Sequence, residues 1–134
     1  MTLSSFDLTA ALTTVRQATE QLHTDEQYSK ALAAMGQALS EHQDDILEAN
    51  TLDLEISRDM AVPELVVDWL KLTPERVQTA ANIFHRLASA APVDSPTGAR
   101  DDYHTRPVGI VGFIFEAFPD LAAIAAALCI RTGN

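Results

Sequence analysis

Residues 107–134, Pro-Val-Gly-Ile-Val-Gly-Phe-Ile-Phe-Glu-Ala-Phe-Pro-Asp-Leu-Ala-Ala-Ile-Ala-Ala-Ala-Leu-Cys-Ile-Arg-Thr-Gly-Asn, decide how the chain is read. The segment 108–115 carries no charge and is rich in Val, Ile and Phe. Continuous rather than alternating apolarity marks a strand covered on both faces. Residues 116–120 then form a loop with Pro119, and an Ala-rich helix follows, closed by Gly133. Parallel strands pair only across such a crossover helix. A lone β-α unit is therefore expected to be the front of a larger sheet. Gly109 and Gly112 are expected where a helix approaches that sheet closely.

Upstream, the periodicity predicts helices. Leu8, Leu12, Val15, Ala18 and Leu22 give a first one over residues 7–22, which Ser5 can cap. Thr24 with Gln27 makes a capping box for a second, which carries Tyr28, Ala31, Leu32, Met35 and Leu39 and is expected to run to about Asn50. Gly36 inside it suits a close helix crossing. Residues 51–60 alternate like a strand but carry Asp53, Glu55 and Asp59; the reading leans to helix. Pro63 opens a short helix through Leu70. Thr73-Pro74-Glu75 starts another that holds Val77, Ala80, Ala81, Phe84, Leu87 and Ala88 and lasts until Pro92. Residues 93–106 read as a linker with a candidate edge strand near Tyr103.

The totals narrow the function classes. With 134 residues, 47% of them hydrophobic, the chain suits one soluble domain. A net charge of −10 without clustered Lys or Arg argues against a nucleic-acid surface. The single Cys129 excludes an internal disulfide and fits a reducing cytoplasm. Glu116, Pro119 and Asp120 interrupt the most apolar stretch, so no membrane span is expected. The four histidines, His23, His42, His85 and His104, show no metal-like spacing. The adjacent pairs Asp44-Asp45 and Asp101-Asp102 diverge too far on a helix to act as a dyad. Cys129, late in its helix between Leu128 and Ile130, reads as a buried structural residue. The loop 116–120 is the exception, because open α/β sheets bind ligands at the carboxyl ends of their strands. Asp120 there is either a plain N-cap or part of an anion site at the helix start.

Taken together these segments resemble γ-glutamyl phosphate reductase (glutamate-5-semialdehyde dehydrogenase), of the aldehyde dehydrogenase superfamily. The family's Pro-Leu-Gly-Val-Ile-Gly, Tyr-Glu-Ala-Arg-Pro-Asn and Ala-Ala-Ala-Leu-Cys-Leu-Lys-Ser-Gly-Asn stand here at 107–112, 115–120 and 125–134. Residues 46–50 with Asp53 and Leu54 look like its Ile-Leu-x-Ala-Asn-x-x-Asp-Leu, and 70–76 like its Leu-x-Leu-Thr-x-x-Arg. The resemblance covers most of the chain from about residue 25.

It implies a mostly helical α/β fragment: a helical region at 1–92, the linker at 93–106, and at 107–134 the first strand and helix of a Rossmann-like cofactor domain. In the family, γ-glutamyl phosphate is reduced to glutamate 5-semialdehyde in proline synthesis. A catalytic cysteine carries the acyl group and NADPH supplies the hydride. By that resemblance Glu116, Ala117, Phe118, Pro119 and Asp120 line the nicotinamide and substrate end of the cleft. Cys129 matches a helix cysteine of the family, not its nucleophile. NADP(H) is implied for a full-length member, with none expected to bind this chain tightly. The expected partner is the remainder of the enzyme or another chain completing the sheet, in a cytoplasmic oligomer without nucleic acid or membrane.

Three departures stand out. Arg-Pro-Asn is here Phe118-Pro119-Asp120, which removes a cation and introduces an acid that would repel an anionic acyl phosphate. The span between Gly98 and Pro107 looks clipped. By the resemblance, the strands that hold the nucleotide and the cysteine nucleophile are expected beyond residue 134. The leading expectation is the N-terminal part of such an enzyme, not catalytic alone. A helical interaction module is the alternative, and an anion-binding regulatory piece the third.

Overall fold

The computed structural model describes residues 7–19, 24–91 and 107–134. Among them the chain forms six α-helices: α1 (Leu8–Thr19), α2 (Asp25–Glu41), α3 (Gln43–Asp59), α4 (Glu64–Leu70), α5 (Pro74–Ala88) and α6 (Pro119–Arg131). The core is the three-way junction of α2, α5 and α6, where Leu32, Phe84 and Ala127 are fully buried. Leu39, Leu87, Ala123 and Ile130 close around them. Helices α3 and α4 pack on each other at the side.

Local chemistry accounts for most boundaries. The Thr24 hydroxyl accepts from the Gln27 amide while the Gln27 side chain accepts from the Thr24 amide, the reciprocal box expected for α2. Thr73 caps α5 by accepting from the Arg76 amide, with Pro74 at the first position. Gly36 lies where α2 crosses α5. A Cβ there would meet the Phe84 Cβ at 3.0 Å and the Ala81 carbonyl at 3.1 Å. Glycine lets these helices touch. At α6 the end is closed by Gly133 at φ 73°: the Gly133 amide donates to the Ile130 carbonyl and the Asn134 amide to Cys129.

The same two-bond closure ends α3, where Ala61 adopts φ 57° and the Ala61 and Val62 amides donate to Arg58 and Ser57. An alanine in the left-handed region costs about 1 kcal/mol. Ala61→Gly is therefore expected to stabilise the fold by up to about 1 kcal/mol, read as a higher midpoint in urea.

Asn50 joins α3 to the turn between α4 and α5. Its Nδ2 donates to the Leu70 carbonyl (3.0 Å) and its Oδ1 accepts from the Leu72 amide (2.8 Å). Both bonds are partly buried. Asn50→Ala is expected to cost about 2 kcal/mol, because two backbone groups lose their partner together.

Several expectations are corrected. The second predicted helix does not run to Asn50: His42 takes φ −101°, ψ 18°, breaks the ladder and serves both as C-cap of α2 and N-cap of α3. Helix α3 then absorbs the ambiguous residues 51–59. The first helix is described to Thr19; Ser5 and Leu22 lie outside the described residues, and Asp7 accepts from the Ala10 amide at the start of α1. The linker 93–106 and its candidate edge strand also lie outside them.

The largest correction concerns 108–115, expected as a strand covered on both faces. No strand forms among the described residues, and the α/β part of the fold is not seen in them. The segment runs along the surface with Val108, Ile110, Val111, Phe113, Ile114 and Phe115 exposed, Ile114 almost wholly so at 97%. The amides of Val108 and Gly109 donate to the Asn134 Oδ1, and Phe113 stacks on Phe115. A strand exists only through its neighbours, and no other described segment lies alongside to pair with it. Accordingly Gly109 and Gly112 face open space rather than a helix.

Candidate functional site

The loop 116–120 is built as a junction between α4, α5 and α6. Glu116 is exposed and Ala117 buried. Phe118 adopts φ 60°, ψ 74°, a left-handed conformation that a bulky residue takes only when its surroundings enforce it. Three contacts do so. Its amide donates to the Trp69 carbonyl at the end of α4 (3.2 Å), its ring stacks on Trp69 at 5.7 Å, and the Arg76 guanidinium lies over it at 5.7 Å. Pro119 follows at the first position of α6.

Asp120 is not the N-cap expected of it. Phe118 stands at the N-cap position, two residues earlier, and no side chain caps the helix. The Asp120 carboxylate turns instead to Arg76: Nε donates to Oδ2 at 3.3 Å, the adjacent Nη2 donates to Oδ1, and the remaining Nη1 reaches the Lys71 carbonyl. Both side chains are largely shielded, at 27% and 19% exposed. A forked arginine–carboxylate pair in that setting fixes position as well as charge. Both oxygens of the carboxylate are engaged, so the loop offers neither a free base nor a bare negative charge at Asp120.

Arg76 and Trp69 were not among the sequence-derived site residues. Arg76 stood in the segment 70–76 that carried the resemblance, but its partner is 44 positions away. A second resembling segment meets this one, through the bonds of Asn50 to Leu70 and Leu72. The quoted motifs thus form one connected path from α3 through the α4–α5 turn to the loop.

Beside Arg76, Glu75 sits in the first turn of α5. Bonds from its own backbone amide and then from the Thr73 hydroxyl hold its carboxyl below the usual carboxylate range. A depressed carboxylate favours the fold above its unfolded value and loses that benefit as pH falls through the folded one. Glu75→Gln is thus expected to lower stability slightly on the neutral plateau, by a difference that disappears as pH falls well below about 4.5, in urea melts at stepped pH.

Arg76 is committed to Asp120, and Arg131 is buried against Asp25 and the Ala90 carbonyl. A pocket of about 250 Å³ between Met35, Leu39, Ile46, Phe84 and Ala123 is walled by apolar atoms and offers a pyrophosphate no donor. Among the described residues no group of His, Cys, Asp and Glu could hold a metal ion. His42 and His85 are exposed, and Cys129, expected buried, is a half-buried free thiol on α6. No described helix is long and apolar enough to cross a membrane.

Comparison with known proteins bears on what the loop belongs to. The chain is 45% identical over 115 residues to a protein named γ-glutamyl phosphate reductase 2 from Synechocystis sp., an alignment spanning 79% of this chain and 27% of that one. Over that span the chain is a homologue of the γ-glutamyl phosphate reductases. The reductases so named from Gloeobacter violaceus and Lactiplantibacillus plantarum are each 38% identical, over 79% and 81% of this chain and 27% of theirs. The chain therefore spans about a quarter of the length of the reductases it matches. No protein-family model matches it, and no solved structure gives a significant match.

Proposed function

We propose that the chain is the N-terminal part of an NADPH-dependent γ-glutamyl phosphate reductase of cytoplasmic proline synthesis. Its helices form the scaffold, and residues 107–134 open the cofactor domain. The reading rests on the homology, 45% identity to a reductase of which the chain spans 27%. In it Glu116, Ala117, Phe118, Pro119 and Asp120 line the substrate end of the cleft. This chain contributes position, not nucleophile or nucleotide site; when bound, NADPH would supply the hydride to groups held by the remainder of the enzyme. Residues 108–115 pair with strands of that remainder.

One observation favours a second reading, a helical interaction module in which the exposed apolar segment 108–115 recruits a partner chain. A single experiment separates the two. The chain is co-expressed with the portion of the Synechocystis reductase lying beyond the aligned region, and phosphate-dependent oxidation of glutamate 5-semialdehyde with NADP⁺ is assayed. The leading reading expects turnover only when both pieces are present, and no micromolar NADPH binding to this chain alone by fluorescence titration. Micromolar binding would overturn the incomplete-site reading, and a stable complex without turnover would favour the module.

A further inference from the structure

We propose that Arg76 is a positioning residue of the 116–120 loop, holding it through Asp120 and Phe118, and that Asp120 meets an anionic ligand as a neutralised member of an ion pair. As a consequence for substrate, this builds on the proposed function; as a statement about the loop, it stands on geometry alone. A lone acid in place of the family's amide would repel an acyl phosphate. Here the guanidinium engages both carboxylate oxygens of Asp120 and its third arm ends on the Lys71 carbonyl. The same guanidinium lies over Phe118, whose ring also stacks with Trp69. Phe118 and Asp120, the two departures from the family's Arg-Pro-Asn, thus share one cation. The aromatic ring and the carboxylate together dock the loop onto α5. The left-handed Phe118 is tolerated because its amide, ring and following helix are all tied down.

Hydrogen exchange of the intact chain tests this, because the Phe118 amide is bonded to the Trp69 carbonyl and reports loop opening directly. Arg76→Gln and Asp120→Asn are each expected to speed Phe118 exchange about tenfold, the equivalent of about 1.4 kcal/mol. The α5 core amide of Phe84 should change much less. The double variant should be no faster than either single one, and Arg76→Lys, which keeps charge but loses the fork, should fall between. Trp69, the sole tryptophan, should shift its emission in step. Equal acceleration at Phe118 and Phe84 would mean a merely structural role and overturn the proposal, as would additive effects in the double variant. None of these readouts involves turnover, so their failure is distinct from failure of the proposed activity.

Discussion

Phe84→Ala is expected to lower the stability of the chain by about 3–5 kcal/mol, with a fall in melting temperature on the order of 10–15 °C. Phe84 is 1% exposed on α5 and packs with Leu32 of α2 and Ala127 of α6 in the buried cluster where those three helices meet. Leu32 and Ala127, its neighbours in the core, have no freedom to move in: Leu32 lies on a helix held against α5 at Gly36, and Ala127 has no side chain to extend. The cost therefore combines lost transfer energy with a cavity that opens toward the apolar pocket Phe84 also lines. Against a total of roughly 5–15 kcal/mol, such a loss leaves the chain marginal. Urea unfolding followed by helical circular dichroism measures it, with exposed Leu65 as control: Leu65→Ala should cost under about 0.5 kcal/mol.

Arg131 carries the second large effect, and its sign depends on the replacement. The side chain is 3% exposed and ties α6 to α2 and to the chain just past α5: Nη1 pairs with Asp25 at 2.8 Å and reaches Ser29 at 3.3 Å, and Nη2 donates to the Ala90 carbonyl at 2.6 Å. Its Nε is buried and finds no acceptor among the described residues. Arg131→Ala removes all of this and the stem that fills the space, for an expected cost of about 3 kcal/mol. Arg131→Met keeps the volume and removes the orphaned donor. Asp25, 44% exposed, and the carbonyl of exposed Ala90 can turn to water, so a cost below about 1.5 kcal/mol is expected. Equal losses in the two variants, compared by urea midpoint, would show that charge rather than packing holds this junction.

What the sequence made legible was local. Thr24 with Gln27, Thr73 with Pro74, and Gly133 each satisfy backbone groups within one turn, and each acts as expected. Gly36 was legible too, because a glycine in a helix must be repaid by a close approach. The break at His42 was not: no Gly or Pro marks it, and Ile46 and Leu47 continue the apolar stripe across it. Nor was Ala61, which accepts a conformation usually left to glycine. Arg131 looked like an ordinary basic residue at a helix end, and its burial depends on α2 and α5 arriving from elsewhere.

The loop divides in the same way. Its position before an Ala-rich helix followed from composition, and its residues from the resemblance. That Asp120 would leave the cap for Arg76 could not be read from spacing, because the partner belongs to another helix. The apolarity of 108–115 led to the expectation of a strand with two covered faces, but pairing belongs to the neighbours, and those described here supply none.

The most direct measurement is therefore hydrogen exchange of the amides of residues 110–115, in the chain alone and after addition of the remaining portion of the Synechocystis reductase. Exchange close to that of an open peptide, falling by about a hundredfold or more in the complex, is the predicted result for a segment that joins a sheet. If those amides stay unprotected in a complex that turns over, the segment is not a sheet strand and the account of this chain as the opening of a cofactor domain is wrong.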